Sequence, residues 1–463
     1  MQANKADGGN GHGGTPAHAT GSLGQRAEGG GLFLSSGAIN LSGSTVSENT
    51  ATGGMGGQGR FAKCSFNSQL HCDGPSGPGG DGGASAGGGL YVLSGTARLF
   101  TSTVSGNAAN GNSGGGGGGF TAGPTFHFCC QNGGNGGAAQ GGGLFLVDGN
   151  LTLTQATVSG NSVTAGGGGF GGTGFPPFLG ASGGAARGAG IFVSNGNVSA
   201  INSTVFGNAA NGGKSGSTRF NNHGPAGDAE GGGLYLNHGA VALTGITLAS
   251  NLTLTPSSLS GMFGVSRGGG IANSGAGLYI NSALIGNDNT FIGCVSGCQG
   301  KANDGNDVSG PITSSHSLIG ETSGATITDE GGNHFNVDPG LDPTGIQFNG
   351  GPTETIALLS GSPAINQGDN AICKAPAPTG LAGIDQRGFS RFSDGDGLCD
   401  IGAYELNAKL EPTFAGQPGA PNCHGKSVSA LTHQHGNLSS AASALGFSSV
   451  KALQAAIRAF CGG

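Results

Sequence analysis

Hydrolysis of a glycosidic bond usually needs two carboxylates flanking one site, and the Asp-Asp pair that would supply them on one strand is absent here. Across five regular, glycine-opened stretches only Glu48 and Asp148 are acidic. Charged or polar residues do recur directly before a glycine, in the series Glu28, Ala86, Gln140, Arg187, Glu230, Arg267. Stacked, Arg187, Glu230 and Arg267 would fall about 5 Å apart. An arginine there could act as the base of a lyase, but alternating sign is what an ion-pair ladder needs. Exposed pairs of that kind contribute below ~1 kcal/mol each. A second series, Phe33, Tyr91, Phe145, Phe192 and Tyr235, occupies the middle of aliphatic–aromatic–aliphatic triplets. With the aliphatics inward, these rings point out from one face. Such a stripe marks an interaction site, and its aromatic faces suit sugars. A third group, Asp394-Gly395-Asp396-Gly397 with Asp400, places oxygen ligands around glycines as hard-cation loops do. Calcium is the one cofactor it suggests, against a polar turn beside Cys399. The closing-glutamate spacing of an EF-hand is missing.

The ten cysteines are even in number and several are locally paired: Cys64 with Cys72, Cys294 with Cys298, Cys373 with Cys399, Cys423 with Cys461. Zinc-site spacing is missing, since no C-x-x-C pair recurs and histidines do not cluster near them. Disulfides imply an oxidising compartment, hence the cell surface or the exterior. The opening Met1-Gln2-Ala3-Asn4 lacks a basic n-region and an apolar h-region. The expectation is therefore a chain without its native N-terminus, or one exported by a signal outside it.

The elements that must position these residues repeat. Units open at Gly29, Gly87, Gly141, Gly188 and Gly231 and close twenty positions later at Asn49, Asn107, Asn161, Asn208 and Asn251. A sixth, one residue shorter, runs from Gly268 to Asn287. Constant units with variable gaps predict a solenoid whose excess chain leaves at one corner. Inside each unit three short period-2 segments lie between turn glycines, too short for helices. The fold expected is all-β: a right-handed parallel β-helix with three strands per coil, glycine-rich loop insertions and a small C-terminal helical tail. The asparagines read as a stacked ladder at a bend. The inserts read as solvent-facing loops, or as flaps lying over the aromatic row.

A content of 105 glycines in 463 residues would otherwise suggest collagen or disorder, but no G-X-Y period exists and apolar residues recur on schedule. A net charge of −7 leaves no basic footprint for nucleic acid. No run of about 18 apolar residues could span a membrane.

From about Asn303 the register changes. Ser317-Leu318-Ile319-Gly320, Asn336-Val337-Asp338-Pro339, Asn349 to Thr355, Ala357 to Ile365, Asp385-Gln386-Arg387-Gly388 and Cys399 to Glu405 follow one another over about ninety residues. In content and order this series resembles the end of the choice-of-anchor Q domain. The resemblance implies a bacterial surface or secreted protein with a pectin lyase-like β-helix, mostly of unproven activity. No recognisable sorting anchor follows Glu405. Residues 1–302 are thus expected to hold the repeats, 303–408 the C-terminal β-helix end, and 409–463 a Pro/Gly linker with short helices at Ser439–Leu445 and Ser449–Phe460. The expected role is a monomeric adhesin-like surface that binds a polysaccharide or cell-surface glycan through Phe33, Tyr91, Phe145, Phe192 and Tyr235. The alternative is a carbohydrate-active enzyme, a polysaccharide lyase or glycoside hydrolase.

Overall fold

The computed structural model describes every residue except 67–69, 123–125, 130, 172–179, 219–222, 257–262, 293–304, 394, 409–413, 445–448 and 463. The chain is mostly parallel β-sheet with few helices. Each repeat contributes one strand to each of five parallel rows, and within a row the strands pair in sequence order. In the third repeat these are Ala139–Gln140, Leu144–Leu146, Asn150–Thr154, Thr157–Ser159 and Ser162–Thr164. Three strands were expected. The first and last escape notice because they are two or three residues long and built mostly of small and polar residues, so no apolar alternation marks them. Along Asn150–Thr154 only Leu151 and Leu153 are buried. With their counterparts, such as Leu99, Val158, Leu243 and Ile280, they form the thin apolar core.

Several corners need left-handed backbone, among them the position just before each asparagine rung, where Glu48, Gly106, Gly160, Gly207, Ser250 and Asn287 hold φ of 56–64°. The opening glycines from Gly29 to Gly305 hold φ between 57° and 70°, and a Cβ on Gly231 would lie 2.2 Å from Leu234 O. A further corner holds Thr101, Gln155, Asn202, Ser282 and His316 at φ of 44–51°. It is the sheet-to-sheet bend after strands such as Asn150–Thr154.

The asparagines stack as expected. Each Nδ2 donates to Oδ1 of the next: Asn49 to Asn107 at 2.8 Å, then Asn107 to Asn161, Asn161 to Asn208 and Asn208 to Asn251 at 2.9 Å. The sixth rung differs from the expectation. Asn251 Nδ2 donates to Asp288, not Asn287. The sixth unit therefore keeps the full twenty-residue spacing and is not shortened; Asn287 occupies the left-handed position just before the rung, at φ 60°.

The glycine-rich inserts are not loose. They pack as two layers of extended segments, outgoing (8–14, 53–60, 111–118, 165–171, 212–218) and returning (19–26, 77–84, 131–138, 180–185, 224–228). Bonds recur every third residue. Gly53, Gly56 and Gly59 N–H donate to Asn110, Ser113 and Gly116 O, while Gly54, Gly57 and Arg60 N–H donate across to Gln25, Ser22 and Ala19 O. A three-residue period with bonds between segments is the polyproline-II arrangement, in which glycine best fits the crowded contacts. A Cβ on Gly115 would lie 1.9 Å from Gly57 O. Beyond the bundle, Ala62–Phe66, Leu70–Cys72, Gly119–Ala122 and Phe126–Cys129 form a small mixed sheet carrying the Cys64–Cys72 disulfide.

Residues 338–406 return along the stack as a strap. The strap holds a short helix α1 (Asn370–Lys374) and the Cys373–Cys399 disulfide. Among its described residues the tail has three helices: α2 (Cys423–His435), α3 (Leu438–Ala444) and α4 (Val450–Cys461). Ser449 caps α4 by accepting from Ala452 N–H, and Leu453 and Ile457 pack with Leu431 and Ala441. The sequence reading missed α2. Its mixture of His, Ser, Gly and Lys has little apolar periodicity, and it is tethered to α4 by Cys423–Cys461.

Candidate functional site

The aromatic row is built by the parallel register Phe33, Tyr91, Phe145, Phe192, Tyr235. Strand spacing of about 4.8 Å places the rings face to face, with centroids 5.0, 5.0, 4.7 and 5.1 Å apart. This alters the expected site. Each inner ring has both faces covered by its neighbours and is at most 5% exposed; of the end rings, Tyr235 is 8% exposed and Phe33 50%. The row offers edges rather than open faces.

Those edges form the floor of a groove of about 400 Å³. Arg26, Gln140 and Arg187 line one wall, and Val147, Ser194 and Asn237 the other. A second hollow of about 310 Å³ shares Tyr235 and continues past Glu230, Arg267, Asn273 and Ser274. Sequence reading found the first wall in part, as the residues before the opening glycines. It missed Arg26 and the far wall. Val147, Ser194, Asn237 and Ser274 share one offset, six residues after the opening glycine, and that was the available signal.

The charge row is an ion-pair ladder, as its alternating sign implied. Glu230 is 1% exposed and accepts from Arg187 Nε at 2.5 Å and from Arg267 Nε at 2.6 Å. Burial works against the Arg187 charge, but Glu230, with Tyr235 and Asp228, offsets it and the pKa is raised. Arg187 also lies 5.4 Å over the Tyr235 ring. Burial, then the Glu28 carboxylate, raises the Tyr91 phenol, while Glu28 itself pairs with Arg26 at 2.9 Å. The groove thus presents guanidinium donors, amides and hydroxyls. Its one buried carboxylate has both oxygens engaged.

The strings that carry the family resemblance form a buried clamp instead of a site. Gln386 accepts from Thr204 Oγ1 at 2.6 Å and donates to Thr157 Oγ1 at 3.0 Å and Thr353 Oγ1 at 2.9 Å. Arg391, fully buried, donates to Asn202 Oδ1, Gly402 O and Glu405. Asp385, Asp400 and Glu405 face only two guanidiniums, those of Arg387 and Arg391. The ion pair and the desolvation of Glu405 pull in opposite directions. Its Oε1 has no partner, so burial prevails and pushes the pKa up to about 8.

Of the three expected calcium ligands, the structure describes Asp396 and Asp400. Asp400 is 1% exposed, and its carboxylate takes the amides of Asn366 and Leu406. Asp396 accepts from Leu398 N–H, and Asp394 lies outside the described residues. Among the described residues no group of three or more His, Cys, Asp or Glu is placed to hold a metal. Three of the four expected disulfides are present; Cys294 and Cys298 lie outside the described residues. No described helix is long and apolar enough to cross a membrane. No protein-family model, curated protein or solved structure matches the chain.

Proposed function

We propose that this chain is a right-handed parallel β-helix of the pectin lyase-like kind, akin to the choice-of-anchor Q proteins it resembles. We further propose that it acts outside the cell by binding an extended glycan along the groove. Strand rows that pair in sequence order, with the same register in every repeat, support the fold. Crossovers between parallel strands are right-handed in nearly all proteins. The disulfides support an oxidising setting.

The observation that carries the binding reading is the groove itself. It follows the stacking axis over aromatic edges, with Arg26 and Arg267 side chains 51% and 42% exposed on one side. An elongated polyhydroxylated chain bearing carboxylates fits such donors. The enzymatic alternative is weaker, because Glu230 is held between two arginines and has no carboxylate partner in the groove.

A glycan-array screen of the full chain, followed by titration of the best ligand, tests the reading. Arg26→Ala and Asn237→Ala should weaken binding at least about tenfold, roughly the loss of one charge-assisted hydrogen bond, with unchanged melting temperature. Turnover of a uronate polymer, abolished by Arg187→Ala or Arg267→Ala, would instead establish the enzyme.

A further inference from the structure

We infer that the amide ladder ends in a pair of carboxyl groups, Asp288 and Asp307, locked together by one shared proton, and that losing this proton loosens the C-terminal repeats. The ladder is directional. Every rung from Asn49 to Asn251 uses its Oδ1 to accept from the rung before and its Nδ2 to donate to the rung after. From Asn107 onward each Nδ2 also reaches a backbone carbonyl of the preceding repeat: Val46, Val104, Val158, then Val205.

Asp288 inherits the accepting half. Its Oδ1 takes Asn251 N at 2.6 Å and Asn251 Nδ2 at 2.9 Å. Its Oδ2 stands where the donor should be, is buried, and has no partner. No seventh asparagine follows. Asp307 occupies the register of Gly270, two residues after an opening glycine, and turns its carboxylate into the vacant place, accepting Asp288 N at 3.1 Å through Oδ1 and Glu321 N through Oδ2. In the pattern of the ladder the oxygen left over is the atom that should donate to the next rung, and it does so only as an O–H directed to Asp307.

Among the described residues the surroundings offer no cation to substitute for that proton. The strands Leu284–Gly286, Asn289–Ile292, Val308–Ser315 and Leu318–Ile319 carry no charged side chain. Among the described residues the titratable neighbour is Glu321, whose carboxylate is turned to Asn306 and Ser323. Burial raises both aspartates; the Asp307 carboxylate adds to the rise of Asp288, and the Glu321 carboxylate to that of Asp307, which is pushed up to about 7. The sign follows. A carboxyl held above its unfolded value of about 4 stabilises fully below that value and loses the contribution as pH rises through its folded value.

The test is thermal unfolding of the full chain from mildly acid to mildly alkaline buffer. It is run in a Glu405→Gln background, because Glu405 titrates with the same sign. Asp288→Asn supplies the missing Nδ2, so the fall of melting temperature with rising pH should shrink at least by half. Asp307→Asn, which removes the repulsion from the other side, should do the same. Parallel curves for parent and both variants would overturn the inference. So would the absence, at neutral pH, of the infrared carbonyl band of a protonated carboxyl that Asp288→Asn removes.

Discussion

Gln386 owes its place to chemistry that no isostere reproduces. Its Nε2 points at Thr157 Oγ1, Thr353 Oγ1 and the carbonyls of Ala156 and Glu354, while its Oε1 receives Thr204. Gln386→Glu keeps the shape but turns a buried donor into a charged acceptor among acceptors. Gln386→Leu removes both halves and leaves the threonines to pair elsewhere. Unsatisfied buried groups cost about 1–3 kcal/mol, and more when charged. The glutamate variant should therefore be destabilised by more than about 3 kcal/mol and the leucine variant by less, as read from denaturant midpoints at constant slope. Equal losses would mean that Gln386 serves as a space-filler. This role was not legible beforehand. The string around Gln386 was visible, but the partners of its amide lie 182 and 229 positions away. Asp400 shows the same limit: its spacing suggests a cation loop, and that its carboxylate also accepts the amides of Asn366 and Leu406 inside the clamp could not be read from the sequence.

Among the elements, legibility followed length and apolar content. The strands that carry Leu, Ile and Val announced themselves, as did α4 through its cap and the face of Leu453 and Ile457. The Ala- and Ser-rich strands and α2 did not. The glycine bundle was the larger omission, because its signal is a period of three spread over inserts of different length. Two of every three positions face neighbouring segments and the third faces solvent. A methyl at Gly115, 1.9 Å from Gly57 O, must push segments apart, whereas Met55 is exposed. Gly115→Ala should cost about 1–3 kcal/mol, the usual range for overpacking. It should also raise hydrogen exchange at bundle amides such as Gly80 and Gly134 before it affects the strand rows. Met55→Ala, at a solvent-facing position of the same segment, should be neutral by both measures.

At the scale of the whole molecule, the strap divides the stack. It bonds the third repeat through Gln155 and Thr157, the fourth through Asn202 and Thr204, the fifth through Thr247 and the sixth through Ser282. Thr157, Thr204 and Thr247 are buried beneath it, while Thr45 is exposed and Thr103 half-buried. Amides of Thr45–Ser47 and Thr103–Ser105 should therefore exchange at least about tenfold faster than those of Thr204–Phe206, a gap of roughly 1.4 kcal/mol in local opening. Uniform protection along the row would show that the strap adds nothing to the stack beneath it. The strap also imposes a schedule. Gln155 bonds a residue 231 positions downstream, half the chain's length, and a chain emerging from the ribosome amino end first has no such partner until that half has followed. For the whole interval the threonine row stays wet and the middle repeats stand unbraced. The clasp is therefore made only after every repeat that it braces has been synthesised.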